Sequence, residues 1–152
     1  DALIDALQPA GAIYFSMDEA DVERILAHPE TMIGSDGLPH DEFPHPRLWG
    51  AFPRVLGHYA RQRRLFTLEE AVHRMTGLPA DRFRLAGRGR IAPGLAADLV
   101  VFDPDRIGDA ATFARPKTPA AGIHSVYVNG ALAWRADRAT GTRSGRVLRR
   151  AH

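Results

Sequence analysis

Only two short β-prone segments occur in the first half of the chain, too few for a complete parallel sheet. Residues 11–17 (GAIYFSM) and 31–36 (TMIGSD) are these segments, and between them DEADVERILAHPE places Val22, Ile25 and Leu26 at helical spacing. A strand, a helix and a second strand form a unit that suits parallel pairing, and parallel sheets are normally covered on both faces by several such units. We therefore expect an α/β segment that belongs to a larger sheet.

Two further helices are predicted before residue 84. WGAFPRVLGHYARQRR has a helical pattern, with Pro53 either inside the helix or at its start. In TLEEAVHRMTG, Thr67 and Glu70 have the spacing of a capping box, which marks the start of a helix. Gly77 is expected to end that helix.

The pattern changes to β structure after about residue 85. DLVVF (98–102) is typical of a buried strand, and IHSVYVNGALAW is predicted to be a hairpin turning at Asn129-Gly130. The tail TGTRSGRVLRR is a candidate for one more short strand. Because four or five strands rarely bury both faces of a sheet alone, we infer a fragment of a larger fold or a chain completed by a partner.

Composition excludes several classes of protein. The apolar fraction is 45% and the charged fraction 25%, as in globular proteins, and no apolar run approaches the roughly 20 residues that span a bilayer. The pI of about 9.5 reflects arginine, since Lys117 is the sole lysine, but the arginines are scattered and do not indicate nucleic-acid binding. Without cysteine, a metal would need nitrogen and oxygen ligands. We expect a cytoplasmic protein.

Asp36 is the first candidate for chemistry. It follows TMIGS, at the carboxyl end of the second predicted strand, where parallel α/β folds bind their ligands. Its carboxylate is suited to binding metal, to acting as a general base, or to both. Ser35 adds a hydroxyl beside it. The alternative is that Ser-Asp-Gly is only a turn stabilised by an Asx hydrogen bond.

Basic side chains follow in the next loop. The guanidinium of Arg47 is suited to gripping a substrate carboxylate with two hydrogen bonds, and His45 to orienting a substrate or binding metal; His40 lies in the same loop. Alternatively, His45 and Arg47, on either side of Pro46, only order the loop. The chain has no His-x-His pair and no His-Glu-x-x-His, so no complete metal site can be drawn from it, and no glycine-rich phosphate loop precedes a helix.

Taken together, these segments resemble a known family. GSDG, PHPRLWGAFPRVLG, TLEEAVHRMTGLPADRF, GRIAPGLAADLVVFDP and GIHSVYVNG follow one another as in the C-terminal part of N-acyl-D-amino-acid deacylases, the D-aminoacylases of the amidohydrolase superfamily. The resemblance implies the C-terminal fragment of a (β/α)₈ barrel, with its last two strands and closing helices in residues 1–84. Residues 85–152 would then be part of a small β-sandwich.

The resemblance also implies a zinc-dependent hydrolysis of the amide bond of N-acyl-D-amino acids. Asp36 would lie near the zinc ion as a ligand and would shuttle a proton, and Arg47 would recognise the substrate carboxylate with His45 and Ser35 beside it. The remaining ligands expected of the family are absent from the chain, so we expect the isolated chain to bind zinc poorly, to be inactive and to self-associate through unpaired edges.

Two other interpretations stay open at this point. One is a different amidohydrolase, which would act on cyclic amides as dihydroorotases and hydantoinases do. The other is a non-catalytic assembly module that keeps only the tail of the family.

Overall fold

The computed structural model describes residues 13–38 and 42–149. Its first half contains α1 (Glu19–Ala27), α2 (Arg47–Arg54), a π-helix (Val55–Gln62) that continues α2, α3 (Leu68–Met75) and α4 (Gly77–Arg82). Its second half contains β1 (Leu99–Phe102), β2 (Ile123–Val128), β3 (Ala131–Arg135) and β4 (Arg138–Ala139). Taken together, the described residues form an α/β structure with a small antiparallel sheet. Across the described ranges, no helix combines the length and apolar character needed to cross a membrane.

The starts of α1 and α3 follow directly from local sequence. The side chain of Asp18 accepts a hydrogen bond from the Ala20 N–H at 2.8 Å and caps α1. At α3 the predicted capping box is confirmed: the Glu70 N–H donates to Thr67 Oγ1 at 3.1 Å, and the Thr67 N–H donates to a Glu70 carboxylate oxygen at 2.7 Å. The hydrogen bond from the Thr67 backbone lowers the pKa of Glu70.

The predicted second helix is confirmed, but its geometry changes after Pro53. The helix begins at Arg47, runs through the buried Pro53 and widens into the π-helix at Val55. Proline has no N–H to donate and crowds the preceding turn, so an α-helical hydrogen bond cannot form there. At the far end, the Arg63 N–H donates to the His58 carbonyl at 2.8 Å, a five-residue spacing.

The core joins the two halves of the chain. Ile107, which follows β1, is 2% exposed and lies among apolar side chains of the helical half. A side chain at Gly57 would place its Cβ 2.6 Å from the Ile107 carbonyl oxygen, so the π-helix approaches this segment only because residue 57 is glycine. The other buried members of the cluster are Val55, Leu56, Tyr59, Ala60, Phe66 and Ala71.

The sheet has the strand order β1-β2-β3-β4, and all its pairs are antiparallel. The predicted β2–β3 hairpin is confirmed, with Asn129 at φ 48° and Gly130 at φ 80°, as the tight turn requires. The expected burial of β1 is wrong: Val100 and Val101 are about half exposed, because no second layer covers them within the described residues.

Three other expectations about secondary structure are wrong. Residues 13–17 and 31–36 are not strands, and Ile33 donates its N–H to the Arg74 carbonyl at 3.2 Å instead of to a neighbouring strand; residues 11–12 lie outside the described part. The tail at 140–149 adds no strand. The expected end of α3 is confirmed, since the helix ends at Met75 with Thr76 as its C-cap, but Gly77 then begins α4, where a side chain would clash with the ring of His73.

Arg74 on α3 holds the C-terminal end of α1. Its guanidinium donates hydrogen bonds to the carbonyls of Leu26 and Ala27, in the last turn of α1, and to that of His28, the C-cap residue, which also accepts the Thr31 N–H at 3.0 Å. Arg74 is only 6% exposed, and its guanidinium lies 5.0 Å from the ring centroid of Phe66. A positive charge at a helix C-terminus is favourable, so this contact fixes where α1 ends.

We predict that Arg74→Met destabilises the protein by about 2–3 kcal/mol, because three carbonyls lose a charged donor while the volume is roughly kept. Denaturant unfolding of the full-length protein measures the change. The control is Arg82→Met, which removes an exposed ion pair with Glu30 and should cost less than about 1 kcal/mol. Equal losses for the two variants would contradict a structural role for the buried guanidinium.

Candidate functional site

Asp36 lies at the end of the segment that α3 holds in place. Its backbone has φ 46°, in the left-handed region that asparagine and aspartate adopt more readily than most other residues. Its side chain is 81% exposed in this structure. Sparsely populated backbone conformations concentrate at functional sites. The left-handed backbone and the exposed side chain of Asp36 therefore both favour a role for the carboxylate beyond packing.

The turn around Asp36 packs against the first turn of α2. A side chain at Gly37 would place its Cβ 2.7 Å from Leu48 Cδ1 and 3.1 Å from Leu48 Cα, so glycine is required for this close approach. The hydroxyl of Ser35 accepts a hydrogen bond from the Gly37 N–H at 3.3 Å. The hydroxyl of Ser35 therefore stabilises the turn, and among the residues that the structure describes Asp36 accepts no Asx hydrogen bond.

Arg47 and Asp36 form an ion pair. One guanidinium nitrogen, Nη2, lies 2.9 Å from Asp36 Oδ2, and the Arg47 side chain is 40% exposed. The Arg47 Nε is buried and has no hydrogen-bond partner among the residues that the structure describes. Because the Nε is enclosed by protein, a second carboxylate would be bound through the terminal nitrogens of the guanidinium, of which only Nη2 contacts Asp36.

His45 supports the backbone of Arg47. Its Nδ1 accepts a hydrogen bond from the Arg47 N–H at 3.0 Å, which leaves Nε2 as the N–H donor of the neutral ring. Burial lowers the pKa of His45, and the nearby Arg47 charge lowers that pKa further. We therefore expect the His45 ring to be neutral at pH 7. His40 lies outside the described residues.

The structure thus brings together Ser35, Asp36, His45 and Arg47, which the sequence analysis had singled out. One aromatic residue near them was missed: Phe113, whose ring lies edge-on to the His45 ring with centroids 5.2 Å apart. It comes from the β half of the chain, and no local pattern around it indicates this contact, since it depends on how the two halves pack.

A metal ion would find one ligand here and not a complete site. Within residues 13–38 and 42–149, no group of three or more histidine, cysteine, aspartate or glutamate side chains is placed to hold a metal. The exposed carboxylate of Asp36 fits the role of a single oxygen ligand of zinc.

Comparison with known proteins gives one consistent result. The family model described as the amidohydrolase family matches residues 2–133. The D-aminoacylase of Alcaligenes xylosoxydans xylosoxydans is 67% identical over 148 residues, which are 97% of this chain and 31% of that protein.

Solved structures agree with the sequence comparison. A crystal structure of D-aminoacylase superposes with a TM-score of 0.93 at 65% identity and covers 98% of this chain and 31% of its own. An N-acyl-D-glutamate deacylase from Bordetella bronchiseptica, solved with zinc and a phosphonate inhibitor, has a TM-score of 0.88 at 57% identity, over 97% of this chain and 31% of its own. The chain spans about a third of the length of the relatives it matches. From its sequence and its structure alike, the chain belongs to the amidohydrolase family and is similar to D-aminoacylases over nearly its whole length.

Proposed function

We propose that this chain is part of a zinc-dependent N-acyl-D-amino-acid deacylase, which releases a carboxylate and a D-amino acid. The observation that carries the proposal is the contact between an exposed carboxylate, Asp36, and a guanidinium with unused donors, Arg47, on adjoining turns. The similarity to D-aminoacylase over nearly the whole chain supports it. The N-acyl-D-glutamate deacylase structure, which holds zinc and a phosphonate mimic of the tetrahedral reaction intermediate, supports it as well.

We also propose that residues 1–84 supply the last two strands and closing helices of a (β/α)₈ barrel, and residues 85–152 part of a β-sandwich. In support, the two segments expected to be barrel strands have no strand neighbours within the described residues. Tyr14 and Phe15 are highly exposed here, and Val100 and Val101 of β1 are about half exposed. Such surfaces are covered in a complete fold, and an isolated chain that exposes them should self-associate. A cytoplasmic location stays a prediction.

In this function Arg47 positions the substrate. The guanidinium donors that Asp36 does not use can donate two hydrogen bonds to the α-carboxylate of an N-acyl amino acid. The ion pair of Arg47 with Asp36 does not prevent substrate binding, because an exposed ion pair stabilises a protein by only about 0–1 kcal/mol. The hydrogen bond from the Arg47 N–H to His45 fixes the backbone from which the guanidinium extends.

Asp36 transfers the proton. Zinc, held in part by this carboxylate, would supply a polarised carbonyl and an easily deprotonated water. An Asp36 carboxylate oxygen accepts a proton from the attacking water and then delivers it to the departing amine nitrogen. Without that delivery, the leaving group would be a strongly basic amide anion. The high exposure of the carboxylate in this structure is compatible with direct contact to water and substrate.

The proposed function is tested by assaying the full-length protein on N-acetyl-D-amino acids, their L-enantiomers and cyclic amides. We expect hydrolysis of the D-substrates, loss of activity on chelation and recovery with zinc. Preferential turnover of cyclic amides would favour the dihydroorotase-like alternative. No metal-dependent turnover of any substrate would favour a non-catalytic module.

We predict that Asp36→Asn lowers kcat by roughly 10²–10⁴-fold with little change in KM, because the amide cannot accept the proton. Steady-state kinetics on N-acetyl-D-leucine with zinc content matched between samples measures this. Asp105→Asn, a substitution at an exposed position away from the site, is the control and should leave both constants unchanged. Activity of Asp36→Asn near that of the control would remove the aspartate from the mechanism.

We predict that Arg47→Gln raises KM by roughly 10–100-fold, because a charge-assisted contact to the substrate carboxylate is lost. The KM of Arg47→Lys should lie between those of the wild type and Arg47→Gln, since lysine keeps the charge but not the planar group of donors. The decisive comparison uses N-acetyl-D-leucinamide, in which a neutral carboxamide replaces the carboxylate. All three proteins should remove its acetyl group equally well. An equal loss on both substrates would mean that Arg47 only stabilises the loop.

A further inference from the structure

Phe113 lies at the tip of a tight turn in the loop that joins β1 to β2. Thr112 and Arg115 close this turn reciprocally, each donating its N–H to the carbonyl of the other at 3.2 and 3.1 Å. The Thr112 hydroxyl accepts a further hydrogen bond from the Arg115 N–H at 3.1 Å. An aromatic side chain at the tip of an ordered turn is held in a defined position even though it is partly exposed.

The ring of Phe113 contacts two rings of the helical half. It lies edge-on to His45, with centroids 5.2 Å apart and an interplanar angle of 81°, and edge-on to Phe15, at 5.5 Å and 68°. Both arrangements are favourable for aromatic pairs. Because His45 accepts a hydrogen bond from the Arg47 N–H, the His45 side chain connects Phe113 to the backbone of the candidate substrate-binding arginine.

The base of the same loop is fixed to the helix that carries Arg47. Asp109 forms an ion pair with Arg54 on α2 at 3.2 Å. Gly50, also on α2, lies so close to this loop that an added Cβ would be 3.1 Å from Asp109 Cβ. The loop is therefore attached to α2 at its base and contacts the turn before α2 at its tip.

We propose that Phe113 is a positioning residue for substrate recognition: its ring fixes the orientation of His45, and His45 fixes the backbone of Arg47. This inference rests on the proposed function, in which Arg47 binds the substrate α-carboxylate. It assigns to the β half of the chain a role in carboxylate recognition, through a residue that itself touches neither the substrate nor the reacting atoms.

The test compares Phe113→Ala with Phe113→Tyr in the full-length protein. Phe83→Ala serves as the matched control because Phe83 is an exposed aromatic residue away from the site. We expect Phe113→Ala to raise KM for N-acetyl-D-leucine about tenfold with kcat nearly unchanged. KM for N-acetyl-D-leucinamide should not change, and Phe113→Tyr, which keeps the ring edge, should behave as wild type. A parallel loss on both substrates, or equal behaviour of Phe113→Ala and Phe83→Ala, would overturn the inference.

A second readout does not depend on turnover. In metal-free protein with ¹³C-labelled histidine, the His45 ring resonance, assigned by its loss in His45→Gln, should shift in Phe113→Ala and stay in place in Phe83→Ala. If wild-type protein hydrolyses no N-acyl-D-amino acid, the proposed function fails, and calorimetric binding of N-acetyl-D-leucine then decides the inference. Weaker binding by Phe113→Ala together with the shifted resonance supports it, whereas an unmoved resonance or unchanged affinity contradicts it.

Discussion

The contact of Arg74 with the end of α1 determines where the candidate site lies. The side chain of Arg74 holds the carbonyls of Leu26, Ala27 and His28, and its own carbonyl accepts the N–H of Ile33. One residue of α3 thus holds the chain just before and just after the connection that leads to Asp36. Burying a guanidinium is costly unless its donors are satisfied, and here three carbonyls satisfy them in a place where a helix end needs donors. The carboxylate can be exposed and strained because the segment before it is held firmly.

Features that depend on a few neighbouring residues could be predicted from the sequence. The capping box of Thr67 and Glu70 closes within a single turn, and the Asn129-Gly130 hairpin depends on two residues that tolerate positive φ. The fold class of the chain as an α/β structure follows from the same kind of evidence. Asp36, His45 and Arg47 could be singled out together because they lie close to one another along the chain. The roles given to them came from the family resemblance.

Features that depend on distant partners could not be predicted. Residues 13–17 and 31–36 have the composition of strands, but a strand exists only when a neighbour accepts its hydrogen bonds, and within the described residues none does. The π-helix follows from Pro53 together with the close packing of Gly57 on Ile107, which lies 50 positions further along the sequence. Arg74 looks like any surface arginine of an amphipathic helix until α1 is packed against it. In each case the deciding contact involves a residue far along the chain, which the local sequence does not reveal.

The contacts that support the site cross the division between the two halves. Ile107 fills the core beside the π-helix, Asp109 pairs with Arg54, and Arg90 forms two hydrogen bonds with Asp81 at 2.7 and 2.6 Å. The proposed boundary at residue 84 therefore divides the chain by its pattern of secondary structure and not by its packing. α2 carries Arg47 at its start and Arg54 at its end, and the Arg54–Asp109 ion pair joins that helix to the β1–β2 loop. In the proposed function, substrate recognition therefore depends on both halves, although the residues suited to contact the substrate come from the helical half alone.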